Sequence, residues 1–320
     1  RKLNIKEEIY EPVKLTPAAY QVTGETRISY INYLQRHINQ RDGRKLSYNE
    51  TANFMTTVMQ TYLTIFSGLP GVGKTSTVHH FADALGIKGP IENKANFLNV
   101  AVARGWTSSK DLLGNKNALR MSYEEGRTGI YSMLKALEYA KSSGKDDIIN
   151  HQMLSIILLD EANLSPIEHY WSDFLSICDT FHEGKKLNLG GKSNTFTLDL
   201  PPSLRFIATI NTDATVEPLS DRLLDRASVI TLTNENNNLD NLSLDDLGFN
   251  GTVPYQELAE AFMISREQTL KLQNSGKLEL ERNALAKIRH ALESDARSAH
   301  PVYISNRKMN AIYNYCAVAN

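Results

Sequence analysis

Cysteine is nearly absent: Cys178 and Cys316 are the only two in 320 residues. That excludes a disulfide scaffold and any zinc site built on thiolates, and makes a reducing cytoplasm the expected setting. Proline is also sparse, at 10 residues, and with 22% charged and 41% hydrophobic residues the composition excludes a disordered or fibrous chain. An excess of either charge is missing. With 35 Lys+Arg against 36 Asp+Glu, bulk charge does not mark the chain for nucleic acid or anionic lipid, which leaves only a local basic face open. Long apolar runs are missing too. The longest strongly apolar run is Ile156 to Leu159, against the ~20 residues that a membrane-spanning helix needs, so no membrane association is expected. The first thirty residues are polar and carry no apolar signal-like region, so no secretory signal is expected. Because the chain opens at Arg1 rather than at methionine, we expect a piece of a longer protein.

What is present is an alternation of short apolar runs with helix-period sequence. The runs Tyr62–Ser67, Phe97–Val102, Ile156–Leu159, Arg205–Ile210 and Ser228–Leu232 are too far apart for hairpins. Such spacing predicts a parallel sheet with helices on both faces, an α/β core. Ahead of it, Ile28, Ile31, Leu34 and Ile38, then Phe54, Val58 and Tyr62, predict two short helices. Residues 1–25, broken by Pro12 and Pro17, read as an arm or linker, and 26–233 as the core with its leading helices. Five asparagines between Thr233 and Asn241 place a linker over 234–251. Helical spacing in Leu258, Ala261 and Phe262, in Leu285, Ile288 and Leu292, and in Met309, Ile312, Tyr313 and Cys316 then predicts a small all-α lid over 252–320.

Gly68-Leu69-Pro70-Gly71-Val72-Gly73-Lys74-Thr75 stands between an apolar run and a helical one, the setting in which a phosphate-binding loop works. The loop of Gly68, Pro70, Gly71, Val72 and Gly73, running on to Ser76, would wrap the phosphates of a bound nucleotide and turn the backbone N–H groups of its non-proline residues toward them. Lys74 would reach the β- and γ-phosphates and the Thr75 hydroxyl would ligate Mg²⁺. The following helix is amphipathic through Val78, Phe81, Ala82 and Leu85, and Gly86 stands where its C-terminal cap belongs. Four aliphatics leading into Asp160-Glu161 supply the second half of such a site. Asp160 would hold the metal through its waters and Glu161 would polarise the attacking water, unless the pair is simply a solvated strand end. Ser165-Pro166-Ile167-Glu168 predicts a helix start with Ser165 as its N-cap, and Trp171, Phe174, Leu175 and Cys178 share one face of that helix.

With the later strand ending in Asn211, these motifs arrive in the order of an AAA+ ATPase, and the chain resembles the McrB-like NTPases of modification-dependent restriction systems. Carrying segments are Trp106–Gly114, Leu159–Leu164, His169–Leu175, Ala208–Asp213 and Pro218–Ala227. The resemblance implies that Asn211 orients the lytic water, that Arg226 is an arginine finger acting on the next subunit with Arg222 as its nearby alternative, and that Arg307 is the lid's sensor arginine. A turn-capping role for Asn211 and local ion pairs for Arg226 or Arg222 remain open on the residues alone. It also implies Mg²⁺ with ATP or GTP, a homo-oligomeric ring, most often a hexamer, and a separate nuclease subunit. DNA would be met through regions outside this sequence. Residues 115–128 fall where relatives carry an insert, which would also read as a solvated hairpin.

The function expected is therefore an NTP-hydrolysing ring motor or signalling subunit of a prokaryotic restriction or antiphage defence complex. A MoxR-like remodeller of a protein partner and a nucleotide-gated assembly scaffold are the alternatives.

Overall fold

The computed structural model describes residues 24–41, 46–87, 96–117, 119, 122–143, 152–178, 185–190, 196–212, 218–233, 253–294 and 304–319. Most of the expected arm, the expected linker and Asp213 lie outside them. Two helices lead the chain, α1 (Gly24–Arg41) and α2 (Tyr48–Gln60), followed by β1 (Leu63–Gly68), α3 (Lys74–Ala84), β2 (Phe97–Ala101) and the short α4 (Ser109–Leu113). A hairpin of β3 (Gly114–Asn117) and β4 (Ser122–Glu125), then α5 (Ile130–Ser143) and β5 (Ser155–Asp160), come next. A 3₁₀ turn (Ala162–Leu164) leads into α6 (Ile167–Tyr170), α7 (Ser172–Leu175), the hairpin β6 (Lys185–Asn188) and β7 (Thr197–Leu200), and β8 (Leu204–Asn211). The chain continues through α8 (Asp221–Leu224), β9 (Ser228–Thr231), α9 (Tyr255–Phe262), α10 (Arg266–Asn274), α11 (Glu279–Glu293) and α12 (Asn306–Ala319).

The fold is α/β. Five parallel strands form the central sheet in the order β2-β5-β8-β1-β9, at the places where the five apolar runs predict them. Every residue of β1 is buried, as are all but the last of β5 and of β8, which is what helices on both faces require. Period-2 alternation divides their side chains. Leu63, Ile65, Ile157, Leu159, Phe206 and Ala208 join Trp171, Phe174, Leu134 and Leu137 on one face. Phe66, Ile156, Leu158 and Ile207 meet Phe54, Val58, Val78, Phe81, Leu258 and Phe262 on the other.

Helix α2 begins with a reciprocal cap: Ser47 Oγ accepts from Glu50 N–H (3.2 Å) and Glu50 Oε2 accepts from Ser47 N–H (2.8 Å). In α1, Ile31, Leu34 and Ile38 are buried as spaced, whereas Ile28 faces outward. The helix expected from Ser165 is different in two respects. Ser165 caps nothing: its hydroxyl donates to Ala103 O (3.0 Å) and accepts from Trp106 N–H (3.1 Å), which ties the turn to the loop after β2. The helix also breaks at Trp171, whose φ of -101° and ψ of 9° separate α6 from α7, although Trp171, Phe174, Leu175 and Cys178 are all buried. Residues 114–117 and 122–125 do pair as antiparallel strands; the second such pair, β6 with β7, has no clear mark in the sequence because each strand is only 4 residues long.

The C-terminal helices pack on the leading ones. Tyr30 Oη donates to Glu257 Oε2 (2.9 Å), Gln60 Nε2 to Phe262 O (2.7 Å), Tyr315 Oη to Asn53 Oδ1 (3.0 Å) and Arg27 Nη1 to Val318 O (3.2 Å). Helix α11 buries none of its residues. Among the described residues no helix is long and apolar enough to cross a membrane.

Arg205 joins α2, β8 and the end of α9 from inside the core, with 0% of its surface exposed. Its Nε and Nη2 donate to Val58 O and Met59 O (both 3.0 Å), carbonyls in the last turn of α2, where a cation also meets the negative end of the helix dipole. Nη1 donates to Pro202 O (2.7 Å) and Leu204 O (2.8 Å), Nη2 also reaches Met263 Sδ (3.6 Å), and the Tyr255 ring lies 5.7 Å from the guanidinium carbon. Burial pushes this guanidinium below its ordinary pKa, opposed by Tyr255 and Tyr62. Arg205→Leu strands those buried carbonyls and should cost about 3 kcal/mol or more. A urea-unfolding midpoint within error of wild type would show that the guanidinium does not hold these three elements together.

Candidate functional site

Strands β1, β5 and β8 end side by side, and their carboxyl ends open on a cleft of about 390 Å³ lined by Pro70, Gly71, Gly73, Lys74, Thr75, Ser76, Asp160, Glu161, Thr209 and Asn211. A cleft there is what a parallel sheet provides, since the loops leaving its strands diverge to opposite faces. The loop after β1 needs its glycines. A Cβ on Gly68 would stand 2.8 Å from Leu232 O, and Gly73 takes a φ of 79° that launches α3 toward the cleft. Gly86 closes α3 as expected, at a φ of 65° and with its N–H donated to Asp83 O (3.0 Å). Val72 is buried beneath the loop among the core residues rather than in the cleft lining, and Gly68 contributes its carbonyl to Lys74 instead of a surface to the cleft.

Lys74 is 7% exposed, and its ammonium donates to Gly68 O (3.0 Å), Leu69 O (2.9 Å) and Asn211 Oδ1 (2.9 Å). It thus spans the loop and the end of β8, where phosphate oxygens would compete for the same three protons. Thr75 Oγ1 donates to Asp160 Oδ1 (2.7 Å), so the hydroxyl and carboxylate expected at a metal already face one another. An all-oxygen donor pair beside a helix N-terminus fits Mg²⁺, which retains several waters and takes few protein ligands. In the bound state Thr75 and Asp160 would hold it, and the ion would neutralise charge developing on the phosphates.

Glu161 follows directly, at φ 53° and ψ 41°, the one non-glycine residue with a positive φ among those described. Left-handed backbone at a charged residue is a strained arrangement of the kind that collects at active sites. Asn163 and Asn211 exchange bonds: Asn163 Nδ2 donates to Asn211 O (2.9 Å) and Asn163 Oδ1 accepts from Asn211 N–H (3.3 Å). The turn after β5 is thereby pinned to the end of β8.

None of Arg222, Arg226 and Arg307 lines the cleft. Arg222 lies in α8 and Arg226 on the turn after it, where Arg226 Nη1 donates to Arg222 O (3.1 Å). Arg307 forms an ion pair with Asp225, which also accepts from the Ser305 hydroxyl, while Lys308 Nζ donates to Ala227 O (2.6 Å). Burial alone would raise the Asp225 carboxyl, but the bonds from Ser305 and Arg307 outweigh it and hold the pKa below the usual value. For Lys308 burial prevails over the attraction of Asp225 and lowers the ammonium. The part of Asp225 in this cluster, and that of Thr209 in the cleft, were not singled out from sequence. Thr209 had a usable signal, since strand periodicity puts it on the same face as Asn211.

No family model matches the sequence. No curated protein matches it either. Among solved structures, the chain is similar to a protein from Cytophaga hutchinsonii described as a candidate ATPase, with 18% sequence identity and a TM-score of 0.40. The alignment covers 83% of this chain and 75% of that one.

Lys74→Ala removes the ammonium that lines the cleft beside the loop. Nucleotide affinity should fall roughly 10- to 100-fold, the worth of a charge-assisted hydrogen bond at 1.5–3 kcal/mol. Unchanged affinity in a titration with a fluorescent nucleotide would remove the phosphates from this loop.

Proposed function

We propose that the chain is a Mg²⁺-dependent nucleoside triphosphate hydrolase of the AAA+ kind. The observation that carries this reading is the convergence of Lys74, Thr75, Asp160, Glu161 and Asn211 on one cleft from three separate stretches of sequence. Each occupies a place that phosphoryl transfer to water requires: a cation for the phosphates, a hydroxyl and carboxylate for the metal, a carboxylate for the water and an amide to orient it. Backbone N–H groups at the start of α3 add the positive end of a helix dipole. ATP and GTP both suit these groups, which address only the phosphates.

Among the described residues no arginine lines the site in one chain, and this favours completion by a neighbour. In this reading Arg226 is supplied in trans, with Arg222 beside it, and the working form is a ring, most often hexameric among the proteins it resembles. The finer role is that of a motor or signalling subunit in a prokaryotic restriction or antiphage defence complex. Cleavage of DNA would then belong to a separate nuclease subunit. What supports this finer role is the resemblance carried by residues 106–114, 159–164, 169–175, 208–213 and 218–227.

Phosphate release with ATP and with GTP should rise more than linearly with protein concentration, because a trans-completed site needs a neighbour. Glu161→Gln should bind nucleotide as wild type does while losing turnover by roughly 10²-fold or more, in the range for general acid–base groups. Arg226→Ala and Lys74→Ala should each be inactive alone yet recover activity when mixed, since an intact loop can then meet an intact finger. Mixtures that stay inactive while Arg222→Ala mixtures recover would move the finger to Arg222. Turnover by Arg226→Ala equal to wild type would remove it from the site.

A further inference from the structure

We infer that Thr209 is a positioning residue for hydrolysis, a single hydroxyl that holds the metal-facing carboxylate of Asp160 and the backbone of Glu161 in one register. This rests on the hydrolase reading above. Thr209 is 1% exposed and stands one residue beyond Ala208, which pairs with Leu159 across β5 and β8, so it lies beside the Asp160–Glu161 corner. Its Oγ1 donates to Asp160 Oδ1 (2.5 Å) and accepts from Glu161 N–H (3.0 Å).

The direction of both bonds is fixed by chemistry. A peptide N–H only donates and an ionised carboxylate only accepts, so the hydroxyl's one proton is committed to Asp160 and a lone pair to Glu161. Asp160 Oδ1 also takes the Thr75 proton at 2.7 Å, so two hydroxyls, one from α3 and one from β8, hold the same carboxylate oxygen. That leaves Oδ2 outside both bonds. On the other side, the left-handed backbone of Glu161 persists only where neighbouring bonds over-determine it, and its N–H to Thr209 is one of them. A threonine suits the task because its branched Cβ has few rotamers, which aims the hydroxyl before any ligand arrives.

The group that activates water and the group that faces the metal are consecutive in the chain, yet their side chains must serve different atoms. Thr209 sets the angle between them. Loss of the hydroxyl should let Glu161 relax toward ordinary backbone angles and shift its carboxylate, with a large effect on the chemical step and little on phosphate binding, which Lys74 and the loop retain.

Thr209→Val keeps the branched shape in a buried strand and removes both bonds. We expect kcat to fall roughly 10- to 100-fold, as a misplacement near 1 Å costs, with the affinity for a fluorescent ATP or GTP analogue unchanged. Hydrogen exchange at the Glu161 amide should speed up, a readout independent of turnover. Thr209→Ser should restore most of kcat and the amide protection. If Thr209→Val unfolds, Thr209→Ala serves with the same expectations. Wild-type kcat in the Val or Ala variant overturns the proposal, and so does a Ser variant as impaired as Val, which would assign the effect to the methyl group. A wild-type chain that binds nucleotide but never releases phosphate, alone or at high concentration, overturns the hydrolase reading and this proposal together; normal wild-type turnover beside an unaffected variant overturns this proposal alone.

Discussion

Gly68 lies opposite Asn211 and Leu159 opposite Ala208 in the parallel ladder, and the position of every group in the cleft follows from these two pairings. Slipping β8 by one residue would turn Phe206 and Ala208 to the face that holds Ile207 and carry Thr209 and Asn211 away from the carboxylates. Register is therefore defended by burial: β1, β5 and β8 are packed on both faces, so no shifted arrangement buries the same side chains. The site and the core are specified by the same contacts. The chemistry occupies the carboxyl ends of these strands, where the apolar runs give way to Asp160, Glu161 and Asn211.

This explains which parts of the structure could be read from sequence. Strands β1, β5 and β8 announce themselves because doubly buried strands are continuous apolar runs, and the phosphate loop because glycine is needed where a Cβ would strike Leu232 O. The burial of Trp171, Phe174 and Leu175 follows from helical spacing, a local rule of the same kind. Ser165 misleads because its hydroxyl is claimed by Ala103 and Trp106, partners 62 and 59 residues away, which local capping rules cannot anticipate. Hairpin β6–β7 is hidden by its brevity: Leu187, Leu198 and Leu200 are buried, but three leucines spread over two 4-residue strands set no period. In the candidate site, identities were legible and relations were not. Lys74, Thr75, Asp160, Glu161 and Asn211 stand out singly, whereas the exchange between Asn163 and Asn211 and the double use of Thr209 depend on which strand lies beside which.

Arg205 shows the same division. In sequence it is a charge at the head of an apolar run, which argues against burial. In the fold it is the one group long enough and rich enough in donors to satisfy the end of α2 and the start of β8 together. It also reaches Tyr255 and Met263 at either end of α9, so the leading and C-terminal helices meet the sheet through one side chain. A hydrophobic residue of the same length would fill the space and leave the carbonyls behind.

The start of α12 grips the chain on both sides of Arg226: Ser305 and Arg307 hold Asp225, and Lys308 holds Ala227. Two anchor points flanking one residue make a lever rather than a hinge. A displacement of the final helix would therefore reach the arginine loop through both anchors. The far end of that helix is tethered through Arg27 and Tyr315 to α1 and α2. The leading helices and the arginine loop, separated by the whole thickness of the sheet, are thereby placed on one mechanical linkage.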